Sequence, residues 1–147
     1  MTYKNILVAI DLGPATSAVM QQAYVLASKH EAKLHVIHVI EPISIAYGGD
    51  IPMDFSAIQE ELKDQACKQM DGLCESICVQ KENRYLVTGR PESEIRAQAK
   101  SIDCDLIILG NHARWGLALL LGSTTDGITH NADCDVLLVR VEPENSA

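Results

Sequence analysis

Aromatic and basic side chains are both scarce in this sequence. Aromatic residues make up 4% of the 147 residues and apolar residues 47%, so alanine, valine, isoleucine and leucine must build the interior. That composition is typical of a parallel sheet covered by helices. Twelve basic against 20 acidic side chains give a formal net charge of −8. The charge argues against binding to nucleic acid or to an anionic membrane, because such binding requires clustered lysine and arginine.

The sequence also lacks a long apolar run, and its cysteines are scattered. No segment has the length of a transmembrane helix, so we predict no membrane insertion. Residues 1–5 lead directly into an apolar run, so we predict no signal peptide and a cytoplasmic location. The five cysteines form no C-x-x-C pair. Free thiols in a reducing cytoplasm are therefore expected.

Considered one at a time, the cysteines favour structural roles. Cys74 and Cys78 lie four residues apart on a predicted helix, and Cys67 lies one heptad before Cys74. A redox pair is one interpretation, but small buried apolar side chains are favoured. Cys104 and Cys134 each precede an aspartate and a predicted strand. These two are interpreted as structural as well.

Several common functional motifs are missing. There is no Gly-Lys-Ser/Thr, no G-x-G-x-x-G after the first strand and no G-x-S-x-G. A Walker-type loop, a dinucleotide fingerprint and a serine-hydrolase elbow are therefore excluded. His35 and His38 lie three residues apart on a predicted strand, so they face opposite sides of the sheet and do not share a metal.

Apolar runs alternate with segments of helical spacing along the chain. Strands are predicted at residues 6–10, 34–40, 85–87, 105–109 and 136–141. Helices are predicted at residues 14–30, 55–78, 92–101 and 123–131, with a long loop at 42–54. This alternation favours an α/β fold with a doubly wound parallel sheet. We predict one domain over residues 1–147, with a loose tail at 142–147.

Ligands of doubly wound sheets bind beyond the carboxyl ends of the strands. Asp11 follows the first strand, and its carboxylate serves ligand hydroxyls, a phosphate-bridging metal or only the cap of the next turn. Gly110 follows the fourth strand and allows close backbone approach. Residues 123–126 (STTD) match a capping signature. Such a helix start offers free N–H groups to a phosphate, although a capped helix needs no ligand.

The segment between these two features carries further candidates. His112 either hydrogen-bonds a ligand or is solvated. Arg114 could meet a phosphate, and Trp115 could cover a base or a partner surface. The alternative for both is an exposed loop with one anchoring aromatic side chain.

Four blocks of the sequence together resemble the universal stress protein family. They are residues 3–11 (YKNILVAID), 35–42 (HVIHVIEP), 105–112 (DLIILGNH) and 134–139 (CDVLLV). They follow the family's order and extend over nearly the whole chain. The resemblance implies a Rossmann-like sheet, of the adenine nucleotide alpha hydrolase-like type, with five parallel strands in the order 3-2-1-4-5.

The resemblance also implies a function. Members of this family are usually cytoplasmic homodimers paired through the last strand, here residues 136–141, and they act in survival of stress. Some bind ATP through G-x2-G-x9-G followed by Ser or Thr, after the fourth strand. A second subgroup lacks that motif and does not bind ATP. Enzymatic activity in the family is weak or absent.

The ATP motif carries over in part. Gly110 matches its first glycine, and Gly122 and Ser123 match the last pair, with Thr124 beside them. Asp11 matches an acid near the ribose or the metal, and Val39 matches a residue whose backbone meets adenine.

The chain departs from the motif at two points. Ala113, next to the candidate His112, occupies the position of the second glycine. Only eight residues, 114–121, separate it from Gly122, where nine are expected. The extra methyl group and the shorter segment both alter the predicted phosphate loop.

Three functions follow from this reading. The first is a dimeric stress-response sensor that binds ATP, with Mg²⁺ near Asp11 offsetting the phosphate charge. The second is an interaction protein without nucleotide, which meets an unknown protein partner. The third, a slow ATP hydrolase, ranks last because His112 is the one clear general base near the loop.

Overall fold

A parallel sheet of five strands organises the chain in a computed structural model, which describes residues 2–42, 56–111 and 118–140 and gives only the backbone at 111 and 118–123. The strands are β1 (Asn5–Ala9), β2 (Lys33–Ile40), β3 (Arg84–Thr88), β4 (Leu106–Asn111) and β5 (Asp135–Arg140). They lie in the order β3-β2-β1-β4-β5, and every neighbouring pair is parallel. The predicted doubly wound sheet and its strand order are confirmed.

Helices cover both faces of this sheet. They are α1 (Thr16–His30), α2 (Ser56–Ser76), α3 (Pro91–Ser101) and α4 (Ala118–Asn131), with a short 3₁₀ helix at Lys81–Asn83. Helices α1 and α2 pack on one face, where Val19 and Met70 join a cluster with Val8 of β1. Helices α3 and α4 pack on the other, where Ile95 and Ile128 join Leu7 and Ile37.

The central strands β1 and β4 are buried on both faces. Ile6, Leu7 and Val8 are fully buried, as is Ile108, which explains why these strands read as unbroken apolar runs. Asp105 ties their amino ends together, because its carboxylate accepts the backbone N–H groups of residues 4 and 5 at 2.8 and 3.0 Å.

Two of the boundaries that differ from the prediction lie near the candidate site. Strand β4 continues through Gly110 to Asn111, because these residues pair with Val139 and Arg140 of β5. Helix α4 begins at Ala118 and not at Ser123. Alanine and the three leucines at 119–121 are strong helix formers, and they extend the helix ahead of the predicted capping signature.

Helix α2 is buried only along its second half. Ala66, Met70 and Cys74 are buried, whereas Ile58 and Leu62 are 53% and 43% exposed, because only the second half of the helix packs on the sheet.

The expected burial of the helical cysteines is confirmed for Cys74 alone. Cys67 is exposed, and Cys78 is exposed beyond the end of α2 with a φ of 58°. The predicted loop at 43–54 and the tail at 142–147 lie outside the described residues. Within the described ranges, none of the helices combines the length and apolarity required to cross a membrane.

Candidate functional site

A cleft of about 270 Å³ opens at the carboxyl ends of β1, β2 and β4. Its apolar walls come from Ala9, Ile10, Val19, Ile37, Val39, Pro91, Ile95, Leu109 and Gly110, and its polar groups from Asp11, Thr16, His38, Glu41, Thr124 and Thr125. In the sheet, β2 lies on one side of β1 and β4 lies on the other side. The cleft therefore occupies the point where the strand order reverses, as expected for a doubly wound sheet.

The turn after β1 fixes the carboxylate at the mouth of the cleft. One Asp11 oxygen accepts the backbone N–H of Gly13 at 2.9 Å and the hydroxyl of Thr16 at 3.1 Å. Leu12, which lies between Asp11 and Gly13, adopts a left-handed φ of 60°. This conformation costs a non-glycine residue about 1 kcal/mol. Asp11 thus caps the turn, which is one of the roles predicted for it, and it also lines the cleft.

Gly13 is constrained by the same carboxylate. A Cβ atom at this position would lie 3.1 Å from the Asp11 oxygen, tighter than an ordinary van der Waals contact. The glycine therefore lets the turn close around the acid, and a larger residue would displace the carboxylate from its present position.

His38 is a cleft residue that the sequence analysis considered only as a metal ligand. Its Nδ1 lies 2.7 Å from the carbonyl oxygen of Ile10. Because a carbonyl oxygen can only accept, Nδ1 carries the proton in this bond and the ring is held against the end of β1. The signal that could have revealed it is its place near the carboxyl end of β2, the same rule that pointed to Asp11.

Glu41 was missed as well, although it follows β2 directly. With Asp11 it gives the cleft two carboxylates, and no lysine or arginine lines this cleft in the described part of the chain. Carboxylates suit the hydroxyls of a sugar or the amino group of a base. A phosphate group placed here would require a cation to offset the repulsion.

The fold brings together four of the predicted site residues. Asp11, Val39, Gly110 and Thr124 all line the cleft, although they are distributed over more than a hundred positions of the sequence. Thr125 joins them, and its place in the predicted capping signature was the available signal.

The sequence predicted an anion site at a helix start near Ser123, but no helix starts there in the structure. Gly122 and Ser123 lie inside α4, beyond the four N–H groups that a helix leaves unpaired at its beginning. The amides of residues 122–124 are therefore engaged in the helix, and α4 faces the cleft through the side chains of Thr124 and Thr125. His112 and Ala113 lie outside the described residues.

No metal centre is preformed by the described residues, where no group of three or more His, Cys, Asp or Glu side chains could hold an ion. Asp11, the residue predicted to lie near a phosphate-bound metal, lines the cleft.

Comparison with known proteins matches nearly the whole chain to one family. The family model for the universal stress protein family matches residues 2–140. Universal stress protein A homolog 1 of Coxiella burnetii is 38% identical over 141 residues, which cover 95% of this chain and 97% of that protein.

Solved structures with this fold agree. Universal stress protein UspA from Lactobacillus plantarum is 26% identical, with a TM-score of 0.67, and the match covers 95% of this chain and 99% of that one. A universal stress protein solved in complex with cAMP is 21% identical, with a TM-score of 0.63 and coverage of 95% and 98%.

Proposed function

Because this chain belongs to the universal stress protein family, we propose that its cleft binds an adenine nucleotide, ATP with Mg²⁺, and that the protein acts as a nucleotide-dependent stress-response regulator. The observation that carries the proposal is the convergence of Asp11, Val39, Gly110 and Thr124 on one cleft. A relative with the same fold has been solved in complex with cAMP, an adenine nucleotide.

The chemistry of the cleft fits the nucleoside part of such a ligand. Apolar walls around Val39 and Ile37 suit the faces of an adenine ring, and the carboxylate of Asp11 suits ribose hydroxyls. Gly110 leaves room for close approach to the backbone. A volume of about 270 Å³ is just below the ~300–1,000 Å³ of most ligand sites, so the phosphates would extend past Thr124.

The charge of the cleft makes a divalent cation part of the proposal. Asp11 and Glu41 would repel a triphosphate, and Mg²⁺ bound through the phosphates would offset that repulsion. Asp11 is the residue nearest to such a cation in this proposal. The function proposed is binding, without turnover of the nucleotide.

The proposal includes a cytoplasmic homodimer formed through β5. This strand is an edge of the described sheet, and Leu137 and Leu138 are 37% and 39% exposed. An edge strand with exposed apolar side chains is a template for pairing with a second chain. The opposite edge, β3, is better covered, with four of its five residues partly buried.

Isothermal titration calorimetry with Mg·ATP tests the nucleotide site. We expect saturable heat with the wild-type protein and at least a tenfold loss of affinity in Gly110→Val, because the isopropyl group would occupy the cleft. Gly110 lies in a strand, where valine is favoured, so circular dichroism should report an intact fold.

Gly72→Ala is the matched control for this titration. A Cβ atom at this helical glycine would have no heavy atom within 4 Å, and α2 does not line the cleft. Its affinity should equal that of the wild type. Absence of heat from the wild-type protein at high micromolar Mg·ATP would refute nucleotide binding.

A second function, protein interaction without nucleotide, is favoured by one specific observation. The cleft lacks a lysine or arginine among its described lining residues, and the amides of residues 122–124 lie within α4. Native mass spectrometry separates the two functions, since it reports bound nucleotide and oligomeric state together. A dimer that carries no nucleotide and takes up none from Mg·ATP would favour the second function.

A further inference from the structure

Two cysteines that are distant in sequence meet at the amino end of the sheet. Cys104 lies between α3 and β4, and Cys134 lies between α4 and β5. Both are free thiols of intermediate exposure, and both pack against the cluster beneath α3 and α4. This end of the sheet is opposite to the nucleotide cleft, so the pair belongs to a separate site.

The two cysteines lie on neighbouring segments of the chain and line the same groove. The register of β4 and β5 aligns Leu106 with Asp135, so the two cysteines are offset by one residue on neighbouring parallel chains. Ordinary strand spacing places their Cα atoms about 6 Å apart, inside the roughly 4.4–6.8 Å range of disulfides.

The backbone around Cys104 is held in place. Its amide donates to the carbonyl oxygen of Ala99 at 2.9 Å, its thiol donates to the carbonyl oxygen of Leu106 at 3.0 Å, and Asp103 before it adopts a left-handed φ of 51°. Cys134 is fixed in turn by the pairing of Asp135 with Leu106. The fold therefore fixes the backbone at both cysteines.

A groove of about 430 Å³ gives small molecules access to the pair. Cys104 and Cys134 line it together with Arg96, Lys100 and Asp133. The groove thus presents two adjacent thiols beside groups of both charges, and a peptide-sized thiol carrying carboxylates and an amine would find partners of opposite sign there.

We propose that Cys104 and Cys134 form a reversible dithiol–disulfide site that exchanges with low-molecular-weight disulfides of the glutathione type. The Cys134 thiolate attacks one sulfur of glutathione disulfide, forms a mixed disulfide and releases one glutathione thiolate. The Cys104 thiolate then attacks the Cys134 sulfur, closes the intramolecular S–S bond and releases the second glutathione. Two protein thiols are oxidised, and one glutathione disulfide is reduced to two glutathione thiols, which take up the two protons that the protein thiols lose.

The surroundings of the thiols assign these two roles. Burial raises the pKa of Cys104 to about 12. Burial also raises the pKa of Cys134, and the charges of Asp135, Asp105 and Asp133 add to this rise. The Cys104 thiol is held by its hydrogen bond to the carbonyl oxygen of Leu106, so Cys134 is the first to attack and Cys104 the second. Because both pKa values are raised, thiolate is scarce at neutral pH, and the exchange should accelerate as the pH increases.

Equilibration of the full-length protein in glutathione redox buffers of increasing oxidised fraction tests this site. After alkylation of the remaining thiols, we expect the free cysteines of the wild type to fall from five to three, and the intact mass before alkylation to fall by about 2 Da. Peptide mapping should join the peptides of Cys104 and Cys134. Addition of dithiothreitol should restore all five thiols.

Matched variants identify the pair. Cys104→Ser should stop at a mixed disulfide of Cys134 with glutathione, and Cys134→Ser should form no intramolecular bond. The double variant Cys67→Ser, Cys78→Ser removes the two exposed thiols and should still form the bond. If the serine variants unfold, the alanine variants and the wild-type peptide map carry the test.

Two results would overturn the proposal. One is a folded wild-type protein that keeps Cys104 and Cys134 reduced at the most oxidising glutathione ratio. The other is a cross-link that forms between other cysteines or between two chains while these two thiols stay free.

Discussion

The two ends of β4 carry two different kinds of site. At its carboxyl end, Gly110 lines a cleft with apolar walls and two carboxylates. At its amino end, Cys104 meets Cys134 in a groove with both acidic and basic groups. The same helices wall both, since α3 contributes Ile95 to the cleft and Arg96 to the groove. One sheet thus offers a binding surface at one end and a pair of thiols at the other.

The sites at the two ends differ in how well they can be predicted from the sequence. In a parallel sheet all carboxyl ends lie at one edge, so residues that follow strands are gathered there whatever their distance in sequence. That rule pointed to Asp11 and Gly110. The same geometry gathers the amino ends at the opposite edge, and the neighbouring positions of β4 and β5 bring Cys104 and Cys134 together there, but each looks structural when considered alone.

The largest expected effect comes from the strand that both sites share. Ile108 is fully buried, so Ile108→Ala should lower the free energy of unfolding by about 2–5 kcal/mol through lost burial and the cavity left behind. Urea denaturation followed by circular dichroism measures it. Leu62→Ala, at a side chain 43% exposed on α2, is the control and should cost less than about 1 kcal/mol. Equal losses of unfolding free energy in the two variants would contradict the conclusion that the buried strand β4 contributes more to stability than a half-exposed position.

A smaller effect should come from the contact between α3 and α4, which flank both sites. A Cβ atom at Gly127 would collide with the side chain of Glu92, which also pairs with Arg96 at 2.9 Å. Gly127→Ala should therefore lower stability by about 1–3 kcal/mol. Gly72→Ala, in an open part of α2, should raise it by about 0.5–1 kcal/mol. Chemical denaturation of both variants checks the opposite signs, and stabilisation by Gly127→Ala would show that the helices do not pack this closely.

The smallest expected effect is a pH dependence near the amino end of β2. Burial, and then the charge of Lys33, lower the pKa of His35 from its ordinary value of 6.5. In its neutral form the ring accepts the Tyr85 hydroxyl at Nδ1 and donates from Nε2 to Asn5, over 3.0 and 3.4 Å. The unfolded chain binds the proton more readily, so stability is complete above the ordinary pKa and declines as the pH falls below it.

Urea midpoints at pH 7.5 and 5.5 measure this effect. We expect a lower midpoint at pH 5.5 for the wild type and a smaller difference for His35→Gln, which does not titrate. An unchanged difference in the variant would assign the pH dependence to another group. Mg·ATP titrations of the wild type and the variant at pH 7.5 should agree, because His35 does not line the cleft.

Much of the fold was predictable because each strand is a short apolar run and each helix shows its period. The first and last residues of the helices and strands were harder to predict. The capping signature at residues 123–126 suggested a helix start, but the preceding alanine and leucines carry α4 back to Ala118. Ile58 matched the apolar period of α2 and is still 53% exposed, since periodicity does not reveal how far a helix extends beyond the sheet that it covers.

The sequence by itself determined the alternation of strands and helices, the parallel sheet and the positions after the strands where ligand groups gather. These follow from local apolar periods and from the direction in which a parallel sheet aligns its strands. The tertiary structure is needed to show that His38 and Glu41 share the cleft with Asp11, and that Cys104 and Cys134 line one groove. The physical reason is that contacts between side chains depend on the register of neighbouring strands and on helix packing, which arise from the whole chain and are not encoded in any one segment.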